Sequence, residues 1–134
     1  MTELNRVPAR FINVDLELRS ANVLDSLVSV LESKLTVLHH GDVDGDHFAS
    51  FEVPGPGPDE PDACCRILLD VLENLSAGAR RSLKACDSIS FALGFEGGDS
   101  VLSNAAVDGE TLRRIANLKA SLTITIYPRN PDRS

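Results

Sequence analysis

Apolar and polar side chains alternate most clearly in the stretch FINVDLEL, Phe11 to Leu18. Every second residue from Ile12 onward is apolar, and the intervening positions include Asn13, Asp15 and Glu17. Because successive side chains of a strand point to opposite faces, this pattern predicts a strand with one apolar face and one solvated, acidic face. A strand of a wholly buried parallel sheet would be apolar on both faces. The pattern therefore favours a sheet with helices on one side only and an open polar side.

The rest of the chain divides into elements by the same reasoning. Apolar residues at helical spacing, together with Pro, Ser and Asp at the expected helix starts, predict three helical regions. These regions are 21–33, 61–86 with a break near Ser76, and a short helix capped by Asp108. Alternation predicts four more strands: Leu35–His39, Phe48–Val53, Ser88–Phe95 and Leu122–Tyr127.

The predicted element order, β-α-β-β-α-β-α-β, defines the fold class. Its first six elements have the split βαβ order. We therefore predict an α+β fold, a two-layer α/β sandwich with a ferredoxin-like βαββαβ core and an added C-terminal helix and strand. Residues 10–128 would form one domain, between a flexible arm (1–9) and a flexible tail (129–134). A chain of 134 residues can bury such a core without disulfides or metals.

The net charge and the cysteine content of the chain limit the kinds of partner and the cellular location that we expect. The formal net charge is −7, so the chain repels phosphate backbones and anionic lipid, and neither nucleic acid nor a membrane is an expected partner. A basic protein is the electrostatically natural partner. The three cysteines do not form a disulfide framework, and no apolar run reaches the ~20 residues of a membrane span. We expect a soluble, cytoplasmic protein.

The segment HHGDVDGDHF is the strongest candidate for metal chemistry. Aspartates at alternate positions resemble a calcium-binding EF-hand loop. That loop needs a glycine at its sixth position and a glutamate at its twelfth, whereas here Gly45 is at the fourth position and Val53 at the twelfth. A polar hairpin turn explains the same residues, because Asp and Gly tolerate positive φ. The candidate ligands would be His40, Asp42, Asp44, Asp46 and His47.

Other catalytic readings are weaker. Asp15 and Glu17 have the spacing of an acid/base pair, but an open face would not desolvate either one. Cys64 lies near a helix start but among carboxylates and away from any histidine, which disfavours a nucleophile. No sequence motif for a cofactor is present, so we predict no cofactor.

The predicted partner-binding site consists of residues at alternate positions of two strands, whose side chains would point to the open side of the sheet. In a ferredoxin-like sheet the first and third strands are neighbours, so their outward side chains would form one surface. Large aromatic side chains among carboxylates would gain from being covered by a partner. The set consists of Phe11, Asn13, Asp15, Glu17, Phe48, Ser50 and Glu52.

The run LSNAAVDGETLRRIANLKASLTITIYP, from Leu102, resembles the end of a loosely defined family of small bacterial α/β proteins of unknown function. In these proteins a helix is followed by an alternating strand that ends in Ile-Tyr. The segments FINVDLELRS and SISFALGF are similar to members of the same group. The resemblance implies an α/β sandwich and an immunity-type or interaction role, and it carries over no functional residue.

Two functions of different classes follow from these observations. The first is a non-enzymatic protein-binding module, such as an inhibitor or immunity protein, that engages a basic partner through its acidic sheet face. The alternative is a small metal-dependent enzyme or a ligand sensor centred on the hairpin 39–47. A structural homo-oligomer is a further reading.

Overall fold

A computed structural model describes residues 7–98 and 104–129. Most of the predicted arm (1–9) and tail (129–134) therefore lies outside the described residues. The elements, in chain order, are β1 (Arg10–Ser20), α1 (Asp25–Leu31), β2 (Thr36–Val43), β3 (Asp46–Glu52), α2 (Pro61–Glu73), α3 (Ala77–Lys84), β4 (Ser88–Glu96), α4 (Gly109–Asn117) and β5 (Ser121–Tyr127).

The five strands form one mixed sheet in the order β2-β3-β1-β4-β5. All neighbours are antiparallel except β4 and β5, which are parallel and joined through α4. The first four strands thus have the ferredoxin-like arrangement, and β5 extends the sheet at one edge. The predicted two-layer α/β sandwich is confirmed.

The core lies between the sheet and its helices. Val14, Leu16 and Leu18 on β1 are buried, and Phe51 on β3 and Phe91 on β4 flank them on the same face. The helices complete this core with buried aliphatic and thiol side chains: Leu27, Val28, Leu31, Cys64, Cys65, Leu68, Leu69, Leu72, Leu83 and Ile115. In the part of the chain that the structure describes, the buried apolar residues form one cluster, because the helices cover one face of the sheet.

A β-bulge near the start of β1 changes the predicted side-chain parity. Phe11 pairs with Phe95 and Asn13 with Gly94, so Ile12 is an extra residue without a partner across from it. Ile12, predicted to be in the core, is 41% exposed. Phe11, predicted to lie on the open face, instead packs against the core, with its ring centroid 5.6 Å from that of Phe95. The predicted parity is wrong for these two residues and correct from Asn13 onward.

The second strand is longer than predicted. It continues through His40 to Val43, so the turn to β3 contains only Asp44 and Gly45. Both residues have positive φ, 53° and 88°, which this two-residue turn requires and which Asp and Gly tolerate. A second bulge falls between Val37 and His39 and explains why Leu38 interrupted the apolar alternation.

The first helix is shorter than predicted. It begins after Leu24, because Ser20 belongs to β1, where its buried hydroxyl accepts a hydrogen bond from the Asn22 N–H instead of capping a helix. The Ala21 N–H donates to Asp87 at 2.7 Å, which holds this segment in a turn.

The predicted break at Ser76 is confirmed. Its side chain accepts a hydrogen bond from the Ala79 N–H and caps α3, while Pro61 occupies the first turn of α2. Asp108 occupies the N-cap position of α4, as predicted, but its side chain makes no capping hydrogen bond. Within the described part of the chain, no helix combines the length and apolar character needed to cross a bilayer.

Two leucines on strands provide a matched test of this core. Leu16 has no exposed surface, whereas Leu38 is 44% exposed on its bulge. Leu16→Ala should reduce the free energy of unfolding by about 2–5 kcal/mol, because it leaves a cavity. Leu38→Ala should change it by less than about 0.5 kcal/mol. Urea denaturation of both variants measures the difference, and similar losses would contradict the strand assignments.

Candidate functional site

The surface opposite the helices is continuous across all five strands, and we call it the open face. Its residues share the parity opposite to that of the core residues on each strand. They include His39; Phe48, Ser50 and Glu52; Asn13, Asp15, Glu17 and Arg19; Ser90, Ala92 and Gly94; and Thr123, Thr125 and Tyr127. Of these, Ser50 and Gly94 are buried by their neighbours. On β4 and β5 the open-face residues are uncharged and, apart from the exposed Tyr127, small. The charged open-face residues lie on β1 and β3, the charged half of the face.

The centre of the charged half is an acidic cluster of three residues, Asp15, Glu17 and Glu52. Asp15 lies directly across from Glu52, and Glu17 lies across from Ser50. The sequence prediction that these residues are neighbours is correct. The Asn13 side-chain amide donates to Asp15 Oδ1 at 2.8 Å and to Glu52 Oε2 at 3.4 Å, and so joins the two strands.

The pKa of Asp15 records the environment of this acidic cluster. Partial burial raises the pKa of Asp15 to about 6, and the negative charges of Glu52 and Glu17 add to the shift. The alternation of residues predicts a fully solvated carboxylate here, and this prediction is wrong for Asp15. Adjacent strands, not adjacent residues, cover the side chain, so the local pattern does not record its burial.

The carboxylates of the acidic cluster also differ from several others in the protein because they form no ion pairs with basic side chains among the described residues. Several acidic side chains elsewhere are paired: Asp62 with Arg66, Asp70 and Glu73 with Arg114, and Glu110 with Arg113. Among residues 7–98 and 104–129, no lysine, arginine or histidine forms an ion pair with Asp15, Glu17 or Glu52. The cluster is therefore a patch of uncompensated negative charge.

One end of the open face combines aromatic and cationic side chains. Phe48 lies there as predicted, with the Arg19 guanidinium carbon 5.8 Å from its ring centroid and the His39 ring 5.4 Å away. Arg19 also forms an ion pair with Asp46 at 3.8 Å. Sequence reasoning omitted Arg19 and His39, although Arg19 continues the alternation of Asp15 and Glu17. These neighbours reduce the exposed apolar area of the Phe48 ring.

Phe11, the remaining member of the predicted partner-binding set, lies on the other side of the sheet. There it lines an open groove of about 730 Å³ between the start of α2 and the ends of β4 and β5. Phe95, Ile124 and Ile126 form the apolar part of the groove, and Asp62 lies at the helix side. The bulge at Ile12 accounts for this position of Phe11.

Asp62 supports the local structure of that groove. Burial would raise the pKa of Asp62, but hydrogen bonds from the Thr111 side chain and the Asp108 N–H, and the nearby Arg66 charge, hold it below its usual value. The carboxylate thus ties the start of α2 to the start of α4. Its role is structural.

The hairpin residues predicted as weak metal ligands have different partners. His40 Nε2 lies 3.0 Å from Asp25 Oδ1 of α1, and His47 Nδ1 lies 3.1 Å from Asp42 Oδ1. Asp44 occupies the turn. The described residues contain no group of three or more His, Cys, Asp or Glu side chains that could hold a metal ion.

The cysteines do not provide a nucleophile. Burial raises the pKa of Cys65 to about 12 and that of Cys86 to about 11, with nearby negative charge adding to both shifts. The pKa of Cys64 is also raised, by burial and by Asp59. A thiol with a raised pKa holds little thiolate at neutral pH, so these side chains serve as small core residues.

Comparisons with protein-family models, curated proteins and solved structures found no match to this chain. The resemblance to small bacterial α/β proteins therefore stays a prediction.

The raised pKa of Asp15 predicts a pH-dependent effect of its substitution. The folded protein binds a proton at Asp15 more tightly than the unfolded chain, so stability falls as the pH rises from the ordinary value of 3.8 to about 6. Asp15→Asn removes this penalty and keeps an acceptor for the Asn13 amide. It should stabilise the protein by about 1 kcal/mol at pH 8, after allowance for solvent screening, and by much less at pH 4.

Urea denaturation of both proteins at the two pH values measures this effect. An equal change at both pH values would show that Asp15 has an ordinary pKa in the folded protein.

Proposed function

We propose that this protein is a non-enzymatic binding module that engages a basic protein through its open face, as an inhibitor or immunity protein does. The observation that carries the proposal is the acidic cluster, in which Asp15, Glu17 and Glu52 lie side by side without an ion-pair partner among the described residues. Placing three like charges together opposes folding unless a cation compensates them. A lysine or arginine of a partner would supply that charge.

The shape of the open face favours a macromolecular partner. The β4 residues that pair with Asp15 and Glu17 are Ala92 and Ser90, and their small side chains let a partner approach the sheet closely beside the acidic cluster. Ser90 and Thr123 are hydrogen-bonded to each other at 3.0 Å and present hydroxyl groups to this area. An acidic centre beside neutral polar groups would attract a basic surface electrostatically and orient it through hydrogen bonds.

The alternative centred on the hairpin 39–47 gains no support from the geometry. His40 and His47 contact separate carboxylates, those of Asp25 and Asp42. His39 lies on the open face, whereas His40 pairs across the hairpin with Ala49, which is on the core side. A cytoplasmic location and an immunity-type role remain part of the proposal. The three free cysteines support a reducing compartment, and the sequence resemblance implies the immunity-type role.

Charge reversal on the open face tests the function. Glu17→Lys with Glu52→Lys converts the acidic cluster to a basic patch and should abolish capture of the partner. The matched control, Glu32→Lys with Asp59→Lys, has the same net charge but changes exposed residues on the helix side. It should capture the partner as well as the unmodified protein does. Each purified protein would be used as bait in native cell extract, with quantitative mass spectrometry as the readout.

Salt provides a second readout in the same experiment. Capture of a basic protein should weaken by about tenfold or more between roughly 0.05 and 0.5 M salt, because screening removes the attraction between the charged surfaces. Equal capture by the two double variants would show that the open face is only a solvated surface.

A further inference from the structure

The free edge of β5 differs from the other edge of the sheet in its chemistry. Unpaired edges are usually protected by charged side chains, prolines or bulges. The opposite edge strand, β2, has such features, since it contains a bulge at Leu38 and carries His39, His40 and Asp42. The seven residues of β5, SLTITIY, include no charge, no proline and no bulge. Within the described part of the chain, β4 is the only strand paired with β5.

Backbone geometry identifies the residues that face this free edge. The Tyr127 carbonyl accepts a hydrogen bond from the Gly97 N–H at 2.7 Å, so the backbone groups of Tyr127 point toward β4. Because backbone direction alternates along a strand, those of Thr125 and Thr123 also point toward β4. The N–H and C=O groups of Leu122, Ile124 and Ile126 therefore point outward from the sheet.

These three residues also share one side-chain face. They pair with Phe91, Leu93 and Phe95, respectively, which lie on the core side of the sheet. At the edge, however, the helices leave Ile124 58% and Ile126 68% exposed. Two of the three residues whose backbone groups lack a strand partner thus also have exposed apolar side chains, whereas Leu122 is partly buried against the core.

Helix α4 adds apolar surface next to this edge. Arg114 reaches from α4 to Asp70 and Glu73 on α2, which lies over β1 in the middle of the sheet. Leu112 and Ala116 are on the opposite side of α4 by helical periodicity, so they face away from α2, toward the β5 edge. Leu112 is 44% exposed, and Ala116 is also exposed.

We propose that two copies of this chain pair through antiparallel β5 strands, with a two-fold axis at Ile124, into a dimer with a continuous ten-stranded sheet. This register places Ile124 opposite its equivalent and Leu122 opposite Ile126 of the second copy. The outward backbone groups of all three residues would then be paired, giving up to about six hydrogen bonds. The same pairing buries the exposed isoleucines and brings the two α4 helices together.

A second copy fits this edge better than an unrelated partner because the edge is self-complementary. An isologous interface needs the same patch on both copies, and on the helix side of the sheet the cross-strand pairs formed by Leu122, Ile124 and Ile126 are all apolar with apolar. Each chain has a net charge of −7, which opposes self-association in general, but β5 contributes no charge to the seam. The open face and its acidic cluster remain accessible, so this proposal is independent of the proposed function.

The two-fold axis allows a charge-swap test. Sedimentation velocity of the unmodified protein over roughly 5–200 µM should show a species with twice the 14.4 kDa mass of one chain. Ile124→Lys and Ile124→Glu each place like charges opposite each other across the axis, so each variant alone should be monomeric. An equimolar mixture of the two variants should recover the dimer, because opposite charges then meet at the seam.

Val23→Lys is the matched control, since Val23 is a 61% exposed aliphatic residue before α1. This variant should dimerise as the unmodified protein does. Two results would overturn the proposal. One is an unmodified protein that is monomeric throughout the concentration range, whether its β5 edge is free or binds an extended peptide of another protein. The other is a dimer that persists in Ile124→Lys, which would place the interface elsewhere.

Discussion

The structure depends on the burial of β1 between β3 and β4, beneath a single layer of helices. This strand is hydrogen-bonded on both sides and contributes Val14, Leu16 and Leu18 to the core. The order of the first four strands follows from connecting β1 to β2 and β3 to β4 through helices on the same side of the sheet. Among residues 7–98 and 104–129, that arrangement places no helix on the other side of the sheet. Both proposed interaction surfaces derive from this one-sided construction.

The central position of β1 also concentrates negative charge. Its outward residues Asp15 and Glu17 are flanked by strands, and Glu52 of β3 lies directly across from Asp15. Burial by the neighbouring strands and mutual repulsion raise the pKa of Asp15. A surface that holds unfavourable charge in the free protein gains stability when a cation binds, which links the local electrostatics to the proposed partner.

The two edges of the sheet play different roles. The bulge and polar side chains of β2 discourage pairing with another chain, whereas β5 presents uncharged backbone and apolar side chains together. A dimer through β5 would display two open faces on one continuous sheet. Such an assembly would increase the avidity for a partner with repeated basic sites.

The sequence by itself determined the element order, the fold class and the adjacency of Asp15, Glu17 and Glu52, because alternation and helical spacing report directly on which side of each element is buried. The tertiary structure alone decided the exceptions. The bulge moved Phe11 to the helix side, strand pairing extended β2 through His40, and neighbouring strands desolvated Asp15. These features depend on hydrogen bonds and burial between segments far apart in the chain, and a local pattern of residues does not record them.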